Sequence, residues 1–133
     1  MFVRPALAFL ALAAPVAVQA QASFPKGAPV TVSASNEGFA PRQIVLRQGR
    51  PYTLTLRNVS DRPHSFSART FFGIARVDPA DAGRVADNKV ELAPGQVVRL
   101  RIVAPTTPNA VYEFRSLQIA DAGRDMKGTI LVR

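Results

Sequence analysis

The sequence has 133 residues, enough for one domain, and its 47% apolar and 20% charged residues exclude wholesale disorder. It contains no cysteine and one histidine, which excludes disulfides, thiolate metal sites, thiol nucleophiles and histidine-rich metal clusters. Seventeen Lys and Arg against nine Asp and Glu give a net charge of +8. Eleven Pro and eight Gly are spread along the chain, and such frequent turns favour an all-β domain over a helical bundle.

The N-terminal segment predicts export. It begins with a short region that contains Arg4, continues with an Ala- and Leu-rich stretch interrupted by Pro15, and ends in small residues that permit cleavage after Ala20 or Ala22. The apolar stretch is shorter than the roughly 20 residues that a membrane span requires. We therefore expect a periplasmic or secreted protein that does not span a membrane. The predicted organisation is a signal peptide at 1–22, a lead-in at 23–28 and one domain at 29–133.

Beyond the lead-in, apolar and polar residues alternate in short segments, the pattern of half-buried β-strands. The clearest case is 51–58, where Tyr52, Leu54 and Leu56 share one face. Between 70 and 88 the period is unclear and permits a short helix or an irregular excursion; if that segment is extended, one of Phe71 and Phe72 faces outward. The predicted strands are 30–34, 43–47, 51–58, 64–68, 98–102, 111–115 and 128–133.

Strands this short and this regularly spaced indicate an all-β sandwich with Greek-key connections and seven to eight strands. Its core is predicted from the apolar phase of each strand. The predicted core residues are Tyr52, Leu54, Leu56, Phe66, Val98, Leu100, Ile102, Tyr112 and Phe114.

Several short motifs follow one another in a characteristic order. They are Gly38-Phe-Ala-Pro41, Leu54-x-Leu-x-Asn58 followed by His64-Ser-Phe66, an Ala-Pro-Gly turn at 93–95, and Tyr112-Glu-Phe114 followed by Met126-Lys-Gly128. In this order they resemble the cupredoxins, in particular the small bacterial periplasmic type. The resemblance covers residues 38–133 and implies a Greek-key β-sandwich of cupredoxin type.

The same resemblance implies where a metal would bind. Cupredoxins hold a type 1 copper with an upstream His, and with a Cys, a second His and an axial Met on one later loop. His64 occupies the first position, Ser116 stands in place of the Cys, Asp121 in place of the second His, and Met126 at the Met position. Because a blue copper centre needs the thiolate, we expect no single-electron transfer.

The remaining residues leave alternatives open. His64, Met126 and Asp121 could form a residual copper site; alternatively, His64 is a structural histidine and Met126 an apolar plug. His64, Asp121 and Asp125 could hold a divalent cation. Ser116 near His64 and Asp121 suggests a catalytic triad, but no nucleophile elbow or oxyanion-hole motif surrounds it, so we expect no enzyme activity.

Arginine dominates the positive charge. Arg57, Arg99, Arg101 and Arg115 all lie on the polar phase of predicted strands. If those strands are neighbours, they form a basic face that could bind a periplasmic protein or an anionic surface; the alternative is a solvated exterior with arginines paired to acids. Nucleic acid is not an expected partner, because no exposed aromatic residues are interleaved with the basic ones.

Together these observations favour an exported, non-enzymatic binding or accessory protein that keeps the cupredoxin fold and has lost the type 1 site. It would need no cofactor and would use the loop 116–126 and the Arg-rich face for interaction. The alternative is a periplasmic copper-handling protein with a degenerate site built from His64, Met126 and Asp121. Fold alone does not choose between the two.

Overall fold

A computed structural model describes residues 11–12 and 23–133, so the predicted signal peptide lies almost entirely outside the described residues. Within this part of the chain, no helix is long and apolar enough to cross a membrane. The strands are β1 (Ala28–Ser35), β2 (Gly38–Ala40), β3 (Gln43–Leu46), β4 (Pro51–Asn58), β5 (His64–Ser67), β6 (Arg76–Val77), β7 (Lys89–Leu92), β8 (Val97–Val103), β9 (Ala110–Arg115) and β10 (Lys127–Val132). The helix α1 spans Arg69–Ile74, and 3₁₀ turns span Ala82–Arg84 and Ile119–Asp121.

The strands form two five-stranded sheets. The first has the order β2-β1-β4-β8-β6 and the second the order β3-β10-β9-β5-β7. The β1–β4 and β3–β10 pairs are parallel, and the other pairs are antiparallel. The predicted all-β sandwich is confirmed, with ten strands rather than seven to eight. The additional strands β2, β6 and β7 have only three, two and four residues, so their alternation gives a weak signal.

Alternation along the strands fills the core between the sheets. The rings of Phe66 and Phe114 are stacked with centroids 4.6 Å apart, and Phe39 meets Phe114 edge-on at 5.1 Å. All predicted core residues are buried except Tyr52, which is half-buried. Tyr52 differs because its hydroxyl lies at the sheet end, where it accepts a hydrogen bond from the backbone N–H of Arg47 at 2.8 Å.

Helix α1 explains why Phe71 and Phe72 are both buried. An extended segment would turn one of them outward, but consecutive helical residues differ by only about 100° around the axis. Phe71 packs against Tyr112 of β9 with ring centroids 5.7 Å apart, and Phe72 packs against Phe66 of β5 at 6.0 Å. The segment of unclear period therefore contributes two aromatic residues to the core.

Gly128 of β10 provides a test of the packing between strand and core. A Cβ at this position would lie 2.3 Å from Phe114 Cζ and 2.4 Å from the Arg42 carbonyl oxygen. We expect Gly128→Ala to lower the free energy of unfolding by about 1–3 kcal/mol, because ring and backbone must both shift. Urea unfolding followed by circular dichroism measures this. Gly73→Ala in α1 is the matched control, since its Cβ meets nothing within 4 Å. Equal stability of the two variants would contradict the packing described here.

Candidate functional site

Four connections meet at one end of the sandwich: the β1–β2 turn, the β4–β5 loop, the β7–β8 turn and the β9–β10 loop. Ala34 of β1 lies opposite Asn58 of β4, and His64 of β5 lies opposite Leu92 of β7. The buried Asn58 amide joins these elements, because its Nδ2 donates to the carbonyl oxygens of Arg62 at 2.7 Å and Leu92 at 3.0 Å. These bonds fix the start of β5 and therefore the position of His64.

His64 is fully buried, with both ring nitrogens against oxygen atoms. Nδ1 lies 2.7 Å from Oδ2 of Asp121, and Nε2 lies 3.2 Å from Oδ1 of Asn36. The orientation of the Asn36 amide follows from its other partners: Nδ2 donates to Asp61 Oδ1 at 3.0 Å, and Oδ1 accepts from Arg62 Nε at 3.2 Å. The contact with Asp121 is an ion pair when the ring carries both protons and a hydrogen bond otherwise.

Asp121 connects this histidine to the β9–β10 loop. It ends the 3₁₀ turn Ile119–Asp121 and is buried. Its Oδ2 accepts a hydrogen bond from Ser116 Oγ at 2.5 Å in addition to facing His64 Nδ1. We refer to Asn36, His64, Ser116 and Asp121 as the buried network; His64 and Asp121 are buried, and Asn36 and Ser116 are half-buried.

Two hydrogen bonds that involve the Ser116 and Ser65 hydroxyls hold the loop against β5. The backbone N–H of Ser65 donates to Ser116 Oγ at 3.0 Å, and the backbone N–H of Leu117 donates to Ser65 Oγ at 2.8 Å. The Ser116 hydroxyl therefore accepts one bond and donates another, to Asp121. Because its proton is directed at Asp121 rather than at His64, these three side chains do not have the arrangement of a Ser-His-Asp triad.

Met126 lies at the neck of the same loop. Its backbone carbonyl accepts from the N–H of Ser116 at 3.0 Å, and its side chain is buried in the core cluster. A cavity of about 380 Å³ opens beside it within the loop, lined in part by Ser116, Asp121 and Met126. The structure thus brings His64, Ser116 and Asp121 into direct contact and places Met126 beside them. Whether His64, Met126 and Asp121 bind a metal stays a prediction.

The divalent-cation site that included Asp125 is not formed. The Asp125 side chain is more than half exposed and pairs with Arg42 on the outside of the loop, whereas Asp121 points inward to His64. Among residues 11–12 and 23–133, no three His, Cys, Asp or Glu side chains are grouped in a way that could hold a metal ion. Sequence proximity on one loop did not place the two carboxylates on one side.

The predicted four-arginine face is also wrong. Arg57 lies on β4, and Arg99 and Arg101 lie on β8 of the same sheet, but Arg115 lies on β9 of the other sheet. The polar phase of a strand shows which residues point outward but not which sheet the strand joins. The four arginines therefore do not share a surface.

Sequence reasoning missed Asn36, whose Oδ1 faces the outer ring nitrogen of His64, and Arg62, whose Nε donates to the same oxygen. Asn36 is 28 residues away from His64 in sequence, and no local pattern indicates the contact. Asn58 gave a signal, since a polar residue in phase with Leu54 and Leu56 belongs on the buried face. The hydrogen bond from Asn36 also has an electrostatic effect, because it is the largest cause that holds the pKa of the Asp61 carboxyl below its usual value; a backbone hydrogen bond adds to it.

The fold is a β-sandwich of two mixed sheets. Its buried histidine faces the loop between the last two strands, which is the architecture of the cupredoxin type. A model of the cupredoxin-like domain family matches residues 6–132, so the chain belongs to this family. No curated protein matches the sequence.

Solved structures of auracyanins share the fold. The reduced auracyanin from the photosynthetic bacterium Roseiflexus castenholzii matches with a TM-score of 0.58 and 19% identity, over 79% of this chain and 96% of that chain. Auracyanin A, a "blue" copper protein from Chloroflexus aurantiacus, matches with a TM-score of 0.52 and 14% identity, over 80% and 100%. Auracyanin B matches with a TM-score of 0.55 and 15% identity, over 86% and 93%.

A type 1 copper does not fit the residues of this chain. The protein has no cysteine to supply the thiolate. By the family resemblance, Ser116 aligns with the thiolate position and Asp121 with the second histidine position, and the Ser116 hydroxyl donates a hydrogen bond to the Asp121 carboxylate. A type 1 site therefore cannot form from the residues of this chain.

Asp121→Ala tests how much the buried network stabilises the fold. The substitution leaves Ser116 Oγ and His64 Nδ1 without their acceptor in a buried position, so we expect the free energy of unfolding to fall by about 3 kcal/mol. Asp125→Ala removes a carboxylate from the same loop but breaks only an exposed ion pair, which is worth about 0–1 kcal/mol. Urea unfolding of both variants measures the difference. A loss in Asp121→Ala no greater than in Asp125→Ala would show that the network is not stabilising.

Asn36→Ala tests the outer part of the network through Asp61. Loss of the Asn36 hydrogen bond should raise the pKa of the Asp61 carboxyl toward its ordinary value. Because the pKa in the folded protein is lowered, the associated stability is present above the unfolded-state pKa of about 3.9 and is lost as the pH falls through the folded-state pKa. NMR titration of the Asp61 carboxyl in both proteins measures this. Arg62→Gln is the control. It should raise the pKa of Asp61 less, because the charge of Arg62 is the smallest of the causes that lower this pKa. An unchanged pKa in Asn36→Ala would be inconsistent with the hydrogen bond.

Proposed function

We propose that the protein is an exported, non-enzymatic binding or accessory protein in which the buried network takes the place of the cupredoxin metal. One observation carries this proposal: the side chains at three ligand positions bond to one another, with Asp121 Oδ2 accepting from Ser116 and lying 2.7 Å from His64 Nδ1. A ligand atom that is already engaged in a buried hydrogen bond must give up that bond to bind a metal.

The completeness of the network supports this reading. No buried side-chain nitrogen or oxygen of the described residues lacks a hydrogen-bond partner. Fully satisfied polar networks are rigid and define one conformation of the groups they connect. The β9–β10 loop is therefore held against β5 by hydrogen bonds between groups of the chain itself, as expected of a scaffold that presents a surface rather than a redox centre.

The surface that this loop presents is partly apolar. Leu117 and Ile119 are 55% and 93% exposed on the β9–β10 loop, and Val59 is 59% exposed on the β4–β5 loop at the same end. Large apolar residues exposed together at one end of a domain are typical of contact sites for other proteins. We assign partner binding to this end, with export following from the predicted signal peptide.

Copper titration tests the proposal. We expect the mature wild-type protein to bind Cu(I) and Cu(II) weakly or undetectably in calorimetry, without the intense visible absorption of a Cu(II)–thiolate bond. Ser116→Cys combined with Asp121→His supplies the two missing ligand types beside His64 and Met126, and we expect this double variant to gain that absorption. The control is Ser116→Cys combined with Asp125→His, which places the imidazole on the exposed side of the loop.

Two results would contradict the proposal. Tight one-to-one copper binding by the wild type that His64→Ala abolishes would establish the alternative, a copper-handling protein with a degenerate site. A folded Ser116→Cys/Asp121→His variant that binds copper with no thiolate absorption would show that the network does not occupy the metal position.

A further inference from the structure

The two outer faces of the sandwich differ in how their cations are neutralised. On the side of the second sheet, three cations have a carboxylate partner: Arg42 pairs with Asp125, Lys89 with Glu91, and Arg115 with Glu113. Lys127 of β10, opposite Arg115, has no carboxylate of the described residues within ion-pair distance. On the first sheet, Arg101 is paired, to Asp78 at 3.0 Å and Asp81 at 3.2 Å. Four exposed arginines associated with that sheet have no carboxylate of the described chain within ion-pair distance. Arg76 of β6 lies over the Phe24 ring, 5.1 Å from its centroid. The other three are Arg57, Arg84 and Arg99.

These three arginines lie close together. In the β4–β8 ladder Arg57 is opposite Val97 and Thr55 is opposite Arg99, so Arg57 and Arg99 are diagonal neighbours on one face. Arg84 approaches from the 3₁₀ turn Ala82–Arg84, and its Nη1 donates to the carbonyl oxygen of Arg99 at 3.3 Å. We call Arg57, Arg84 and Arg99 the arginine face.

Hydroxyl groups surround the arginine face. Ser33 of β1 lies opposite Arg57, and Thr55 lies opposite Arg99, all on the outward phase of the sheet. Guanidinium groups and hydroxyls together are donors suited to the oxygen atoms of phosphates and carboxylates. Of the large apolar residues on this part of the sheet, Val97 is exposed, at 38%, and its neighbours on the face are polar.

We infer that the arginine face docks the protein onto an anionic lipid surface. The three clustered, unneutralised charges provide the complementarity to anionic headgroups. A protein partner would be expected to need a pocket with an aromatic or apolar anchor, whereas lipid headgroups diffuse laterally to meet cations on a flat strand face. Arg57 and Arg99 lie on the strand face itself, whereas Arg84 lines a cavity beside it together with Val97. This inference concerns a different surface from the loop end and is independent of metal binding.

Vesicle co-sedimentation tests it, with a two-to-one mixture of phosphatidylcholine and phosphatidylglycerol against phosphatidylcholine alone. The mature wild-type protein should partition onto the anionic vesicles, and salt should weaken the binding because it screens exposed charges. Each arginine near an anionic surface contributes about fivefold to the partition coefficient, so Arg57→Gln/Arg84→Gln/Arg99→Gln should lower it by about a hundredfold. Arg57→Gln/Arg99→Gln, which keeps the Arg84 contact with β8, should lower it by about 25-fold.

The matched control for Arg57→Gln/Arg99→Gln removes the same formal charge from the second sheet: Arg42→Gln/Arg115→Gln. Both cations are paired to carboxylates, and with the first sheet on the membrane they lie farther from it than the Debye length of about 10 Å, so we expect a change of less than about twofold.

Equal losses in the face and control variants would overturn the inference, because binding would then follow net charge alone. Binding of the wild type to polyglutamate but not to the anionic vesicles would also overturn it and indicate an acidic protein partner. None of these outcomes depends on copper or on the β9–β10 loop, so failure here leaves the proposed function untouched.

Discussion

One carboxylate oxygen organises the functional end of this protein. Oδ2 of Asp121 accepts a hydrogen bond from the Ser116 hydroxyl and lies beside Nδ1 of His64, which is 57 residues away in sequence. Burial of a carboxylate is costly in free energy unless donors surround it. The loop conformation that buries Asp121 is therefore stable only with His64 of β5 in place. The conformation of the β9–β10 loop therefore depends on the assembled second sheet, and the cavity and the exposed apolar residues of the loop depend on it in turn.

Strand pairing and side-chain hydrogen bonding support the same geometry. Asn58 fixes the entry to β5. The exit of β9 is fixed by two hydrogen bonds, from the Ser65 N–H to Ser116 Oγ and from the Leu117 N–H to Ser65 Oγ. The far end of His64 is covered by Asn36 from the β1–β2 turn, so both sheets contribute to one buried network. Because no buried side-chain nitrogen or oxygen of the described residues lacks a partner, the network favours one arrangement of the loop through groups of the chain itself.

Much of the fold could be predicted because alternation with period two is a local signal. The face of Leu54 and Leu56 follows directly from it, whereas Phe71 and Phe72 needed the helical geometry of α1 to be placed. The grouping of His64, Ser116 and Asp121 followed from the family resemblance and is confirmed by their contacts. Asn36 was not predictable, because a turn residue carries no period that indicates its distant partner. Arg115 was assigned to the wrong face for a related reason, since strand phase contains no information about sheet order.

A hydroxyl and a carboxylate hold the β9–β10 loop in a different way from a thiolate and an imidazole bound to copper. Coordination bonds require an ion, and a fold that relies on them depends on metal supply and on deprotonated ligands. The bond from Ser116 to Asp121 is a charge-assisted hydrogen bond between groups that the chain itself provides, and it is present whenever the chain is folded. This end of the scaffold is thus held in shape by groups of the chain itself. The features that the network preserves are the conformation of the loop and the position of its exposed side chains.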